Sequence, residues 1–354
     1  MARSHSRLVR NWILSFGSLA IILVVYGGFV RLTRSGLSIV EWNPVSGAVP
    51  PLSNEAWQAE FGKYQQTPEY LQINRAMTVD QYKEIFLIEW LHRLLARLAG
   101  LVFAVPCLFL VITGRIPRQD YAVIVAIGML FVAQAVMGWV MVSSGLEDRP
   151  SVSHYLLAAH LFLALALIGI SEWTALGYHY GPLEPGFRAP WSTPARVTLT
   201  AAMALLLQIA YGAFTAGLRG GLVSNTWPTM LGRLVPQGLL SQQGSPALSL
   251  VAAPLTVAFI HRWLAFAALA PAIAACFLID RVTPTSEIRI AARTGILLMA
   301  LQVGLGILVV ISGVDMALAL LHQFNAICLF LTAVYLLHRL RALDYESMRR
   351  RGPA

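Results

Sequence analysis

Four histidines stand where chemistry is possible inside otherwise apolar segments: His92, His160, His261 and His322. The first lies in IEWLHRLLAR, which begins at Ile88, with Glu89 three residues before the imidazole and Arg93 directly after it. Residues three and four apart share a helix face, so Glu89 and His92 project from roughly the same side. Ionisable groups inside a membrane are costly and mark functional sites by default. Two neutral imidazoles on facing helices suit a planar iron macrocycle with one axial ligand from each side. Zinc is a poorer match, because two His supply half of a tetrahedral set. If His92 binds a porphyrin iron, Glu89 lies beside that ring in a poorly hydrated pocket and is placed for proton transfer. Pairing of Glu89 with Arg93 at i, i+4 is the other use of the same spacing.

The segments that carry these residues are membrane spans. The chain has 354 residues, 57% hydrophobic and only 12% charged, against about 25% charged in an ordinary soluble domain. Apolar runs long enough to cross a bilayer fall at 11–30, 85–113, 120–142, 155–176, 194–217, 254–279, 293–312 and 316–338. The expected fold is an all-α integral membrane protein with eight transmembrane helices. Arg3, Arg7 and Arg10 near one terminus and Arg339, Arg341 and Arg349 to Arg351 near the other place both termini in the cytoplasm by the positive-inside rule. The links with Arg115 and Arg118, Arg188 and Arg196, and Arg281, Arg289 and Arg293 belong to that same side. The formal charge of +9 is therefore a topology signal plus attraction to anionic lipid, with no basic stripe for nucleic acid. A bacterial inner membrane is the expected location. Cys107, Cys276 and Cys328 have no short spacing and read as buried small hydrophobes.

The chain also repeats itself. A shift of 185 lays Tyr26, Gly27, Phe29, Arg34, Gly36 and Trp42 on Tyr211, Gly212, Phe214, Arg219, Gly221 and Trp227. A shift of 169 pairs His92 and Arg93 with His261 and Arg262, one of 168 pairs Gln134 and Gly138 with Gln302 and Gly306, and one of 162 pairs His160 with His322. The expected organisation is two parallel-repeat four-helix bundles, one over 1–190 with a long outer loop at 31–84 and one over 191–354. All four histidines then sit at one depth, close to the outer entrance of their spans. Glu89 has no counterpart, since Ala258 holds its place; this asymmetry suggests one reactive site and one electron-handling site. The three Gln-x-x-x-Gly pairs at Gln134, Gln208 and Gln302 read as close helix packing with an interhelical hydrogen bond. Arg31, Arg34, Arg219 and Arg233, beside Trp42 and Trp227, offer guanidinium forks to porphyrin propionates or anchor the loops at the interface. His154 reads as an interfacial or accessory group, and His5, His179 and His338 as solvated residues at the cytoplasmic edge.

RLTRSGLSIVEWNPVSGAVPP, IEWLHRLLARLAG, SGLEDRPSVSHYLLAAHL, GLRGGLVSNTWP and LLHQFNA together resemble the heme A synthase family over nearly the whole chain. The resemblance implies an oxidoreductase that converts the ring methyl of heme O, through successive hydroxylations, to the formyl group of heme A. It implies that His261 and His322 hold a heme b cofactor, that His92 and His160 hold the substrate heme, and that Glu89 is the catalytic acid or base. It also implies work beside a heme O synthase and the assembly factors of terminal oxidases. The chain departs from the family pattern in lacking an outer-loop Cys pair that some members carry, and in having Leu231 where a polar or acidic residue is expected. Two rival functions remain open at this point: a two-heme cytochrome that relays electrons, and a heme transporter. The electron acceptor, the source of oxygen and any homo-oligomer are not legible.

Overall fold

The computed structural model describes residues 7–147, 149–181 and 189–351; Arg3, His5 and Arg188 lie outside them. Eleven α-helices follow one another among the described residues: α1 (Arg7–Leu32), α2 (Asn54–Tyr64), α3 (Pro68–Gln72), α4 (Val79–Ile112), α5 (Tyr121–Ser143), α6 (His154–Tyr180), α7 (Thr193–Gly217), α8 (Pro246–Ala252), α9 (Pro254–Val282), α10 (Ser286–Ile311) and α11 (Met316–Arg351). Eight of these are long and apolar enough to cross a membrane, and at most 33% of any span's apolar window is buried within the protein. The rest of each apolar surface is left for lipid, which makes this a multi-pass membrane protein. The three cysteines are free, and each is half-buried rather than buried.

The chain divides into two compact units, the first running from Trp12 to Ile168 and the second combining the segment that ends at Asn11 with the chain from Gly169 onward. In the first unit, α1, α4 and α5 meet through tilted and edge-on aromatics: Phe16 lies 4.9 Å from Phe103 and 5.6 Å from Phe131, ring centre to ring centre. The loop expected at 31–84 is not irregular throughout. It contains α2 and α3, and α4 starts at Val79, with Thr78 and Gln81 closing a reciprocal capping box. Phe61, Tyr64, Tyr82 and Phe86 form a buried aromatic cluster there, so the loop packs as a small domain on the extended start of α4.

In the second unit, α7 packs along α9, α9 along α10, α10 along α11 and α11 along α7. The four helices close a ring, with small apolar clusters at successive levels around Ala195 and Ile288, Leu205 and Met299, and Met230 and Ala258. The last helix runs well past the expected end at 338 to Arg351. One reading is overturned: His338 is 1% exposed, packed edge-on against Trp173 of α6 at 4.9 Å. His179 is exposed and meets Arg10 at 2.9 Å.

The loop after α7 holds a two-residue hairpin, with Met230 and Arg233 exchanging backbone hydrogen bonds. Its central residues, Leu231 and Gly232, have φ values of 54° and 78°. Turns with both central residues at positive φ favour Asn-Gly or Asp-Gly, since other L side chains crowd the left-handed region. This explains why a polar residue is expected at Leu231. Leu231→Asn should stabilise the protein by about 1 kcal/mol, seen as a raised midpoint of thermal unfolding in detergent.

Candidate functional site

Each of the four histidines leans on a glycine of the preceding membrane span. A Cβ added at Gly27 would lie 3.3 Å from the His92 ring, at Gly138 3.0 Å from His160, at Gly212 3.1 Å from His261 and at Gly306 3.1 Å from His322. Only a residue without a side chain admits an imidazole this close to the helix backbone. One turn before the glycine comes the group that sets each ring's rotation. Gln134 Nε2 lies 3.3 Å from His160 Nε2, Gln208 Nε2 3.1 Å from His261 Nδ1, and Gln302 Nε2 3.1 Å from His322 Nε2. Asn325 donates to Gln302 Oε1 at 2.7 Å and so holds that amide in place. At the fourth position the residue is Leu23, whose backbone hydrogen-bonds the His92 ring instead. The Gln-x-x-x-Gly pairs, read from sequence as close helix packing with an interhelical hydrogen bond, are thus histidine seats; their recurrence one span before three of the four histidines was the available signal. Gly306→Ala should displace the His322 ring by a few tenths of an ångström and, if this imidazole is a metal ligand, lower the metal-to-protein ratio of the purified protein.

Within the second unit the His261 and His322 ring centres are 6.3 Å apart with planes at 82°. Bonds of about 2 Å from a metal to two opposed imidazoles place the ring centres about 6 Å apart, so this pair is spaced for one metal between them. The Nδ1 atoms of His160 and His322 are buried without a protein partner. An orphaned buried imidazole nitrogen calls for an explanation, and a bound metal is one. No group of three or more His, Cys, Asp or Glu that would hold a bare ion occurs among the described residues. Two-histidine seats without further ligands fit an iron that brings its own equatorial ring. In the first unit, Tyr26 stacks on His92 at 6.1 Å with planes 10° apart.

The arginine after the histidine serves the loop. Arg93 donates from Nη2 to the Ile39 carbonyl and from Nη1 to that of Glu41, both at 2.9 Å. Arg262 donates to the carbonyls of Ser224 at 2.7 Å and Thr226 at 3.0 Å. Ser224 and Thr226 are the counterparts of Ile39 and Glu41 in the 185 frame. Each arginine therefore ties the equivalent two points of its unit's loop to the helix that carries the histidine. In the first unit Arg97 adds bonds to the carbonyls of Asn43 and Pro44. The Glu41 side chain, itself outside the span, is held below the usual carboxylate range by its hydrogen bond with Lys63 of α2, with Asn43 assisting.

Glu89 is 3% exposed and belongs to this tie. Its Oε2 accepts from Ser38 Oγ at 2.7 Å and from the backbone N–H groups of Ser38 and Ile39, each at 2.9 Å. Its Oε1 accepts from Arg93 at 2.7 and 3.0 Å. The i, i+4 pair is present, and three further donors join it, of which Ser38 was not foreseen. Arg34 and Arg219 are exposed, and both adopt left-handed backbone, with φ of 55° and 53°. Neither guanidinium has a protein hydrogen-bond partner among the described residues, so both are open to an anionic group. Trp42 stacks on Trp139 at 5.3 Å, and Trp227 lies over Phe266 and Trp263. His154 is buried at the start of α6.

Residues 10–334 match the cytochrome oxidase assembly protein family, COX15-CtaA. Among curated relatives, a protein of Sphingopyxis alaskensis named Heme A synthase is 41% identical over 333 residues, 93% of this chain and 91% of the relative. Proteins of the same name from Parvibaculum lavamentivorans and Maricaulis maris are each 40% identical, covering 93% and 94% of this chain and 93% and 95% of their own lengths.

Proposed function

The chain belongs to the cytochrome oxidase assembly protein family, and on that premise we propose how its two histidine pairs divide the work of a heme A synthase, the oxidoreductase that converts heme O to heme A. We assign the substrate to the first unit, where His92 and His160 take its iron and Glu89 lies one turn from His92. We assign a resident heme b to the second unit, on His261 and His322; when bound, it supplies one-electron chemistry for passing on the electrons that the oxidation removes. Arg34 and Arg219 meet propionates from the outer loops. Glu89 handles the proton at the substrate methyl, and its five donors determine where the carboxylate sits.

The observation that carries this division is the shared seat with one unshared part. Histidine, glycine cradle and loop-tying arginine recur in both units, whereas the carboxylate occurs in one, with Ala258 opposite. The recurrence also supports two parallel repeats, and the distribution of arginines supports an inner membrane with both termini cytoplasmic. A heme O synthase and terminal oxidase assembly factors are the expected neighbours.

The test is to coexpress the chain with a heme O synthase and extract the hemes for mass spectrometry. Heme A should appear only when both are present, and protein from a host without heme O should keep one bis-histidine low-spin heme. Retention of a heme by His92 and His160 but none by His261 and His322 would reverse the assignment.

A further inference from the structure

The loops that follow α1 and α7 both double back along the helix that carries their unit's first histidine. In the first unit the contacts step down α4 one turn at a time. The N–H groups of Ser38 and Ile39 donate to Glu89, the carbonyls of Ile39 and Glu41 accept from Arg93, and those of Asn43 and Pro44 accept from Arg97 at 2.7 and 2.8 Å. Glu89 and Arg97 are about 12 Å apart along the helix. Gly47 lies against the Arg97 guanidinium, where a Cβ would come within 2.8 Å. The chain then returns: Ser53 caps α2, and Trp57 of α2 meets Phe86 edge-on at 5.1 Å, about one turn before Glu89. The second unit repeats the excursion. A Cβ at Gly220 would lie 3.0 Å from the Pro254 carbonyl, Trp227 lies 5.9 Å from Phe266, and Met230 is back against Leu255 and Ala258.

Both excursions run on the helix face turned away from the histidine. Arg97 and Phe266 are equivalent in the 169 frame, each five residues beyond its histidine and so about 140° round the helix from it. Further down α4 that face continues as exposed Leu101, Val105 and Leu108, and down α9 as exposed Ile273 and Phe277. This is surface left for lipid. The side chains of the first loop match it. Trp42 to Leu52 holds no charged residue, Val45, Val49 and Leu52 are 62–85% exposed, and exposed Trp42 stacks on exposed Trp139 of α5. Tryptophan is enriched at the boundary between membrane and water. In lipid, irregular backbone needs protein donors for its carbonyls; Arg93 and Arg97 supply them to Ile39, Glu41, Asn43 and Pro44.

We propose that residues 42–52 form a re-entrant segment embedded in the bilayer, with Val45 and Val49 against lipid acyl chains and Arg93 and Arg97 holding its backbone. The segment sits about 5–10 Å into the boundary of headgroups and acyl chains, the depth of an interfacial apolar face. In the second unit Trp227 stacks on Phe266 where the first unit has the Arg97 tie. The inference is independent of the heme assignments above.

The test is a spin-label depth measurement on the full chain in lipid nanodiscs, with Cys107, Cys276 and Cys328 replaced by alanine and one label at Val45→Cys, Val49→Cys or Asp80→Cys. Asp80, in the first turn of α4, is exposed and about 25 Å along the helix from Arg97. At Val45 and Val49 oxygen should reach the label and a water-soluble nickel chelate should not, giving a depth of about 5–10 Å. At Asp80 the nickel chelate should dominate. Arg97→Ala should open both deep labels to nickel, because the Asn43 and Pro44 carbonyls must then find water. Nickel access at Val45 and Val49 equal to that at Asp80 overturns the proposal. So does exclusion of both reagents, the mark of a second protein copy on the patch, or unchanged depth in Arg97→Ala. If the cysteine-free chain does not fold, a benzophenone amino acid at Val49 of the otherwise unaltered chain should form lipid adducts on illumination, and a yield without lipid adducts refutes the embedding.

Discussion

Glu89→Ala should lose heme A formation by about 10²–10⁴-fold, the range for a positioned acid–base group, and should also loosen the outer loop. The two effects have separate causes. Alanine removes all five hydrogen bonds at once, so the Ser38 and Ile39 N–H groups lose their acceptor and Arg93, whose side chain is 19% exposed, loses its counter-charge. Breaking a buried ion pair from one side costs about 3–5 kcal/mol, and here that strain falls on the loop that roofs the site. Glu89→Gln separates the roles. It keeps the size of the side chain and one oxygen acceptor for the loop amides while abolishing the carboxylate. Heme A measured by mass spectrometry, together with limited proteolysis of the segment between α1 and α4, reads the two effects independently. Full activity in Glu89→Gln with an intact loop would leave Glu89 as a tie only and remove it from proton transfer.

The second large effect should come from the histidines, and it should differ between units. His261→Ala or His322→Ala leaves a single imidazole opposite an empty seat, so the resident heme should be lost from purified protein along with its bis-histidine low-spin spectrum. His92→Ala or His160→Ala should keep that spectrum while abolishing heme A formation, because the 6.3 Å pair in the second unit is untouched. Absorption spectra of the four variants, purified from a host without heme O, decide this without any activity assay. Equal loss of the resident heme in all four would refute the division of labour.

Much of this architecture is legible in the residues. Eight spans follow from apolar run length, which is a local property, and each is a helix because a chain in lipid must satisfy its backbone internally. The repeat frames at 185, 169, 168 and 162 place the histidines, and the Glu89–Ala258 difference needs no coordinates. The Gln-x-x-x-Gly pairs were visible but lacked a partner, because nothing in a single helix says that an imidazole from the next span occupies the glycine's gap. The expectation for His338 failed for a related reason: hydropathy falls after Leu337, yet packing continues, since α11 buries its polar end against α6 and the start of α7.

By itself, then, the sequence determined the membrane class, the spans, the doubled histidines and the acid that lacks a counterpart in the repeat, all of which depend on residue type and spacing along the chain. Only the tertiary structure decided what those side chains touch. Arg93 and Arg262 reach carbonyls dozens of residues away, and Glu89 accepts from Ser38 and Ile39 because the outer loop folds back onto α4. Backbone amides and carbonyls are the same in every residue, so a loop that uses them to grip a buried charge leaves no mark in the sequence of side chains.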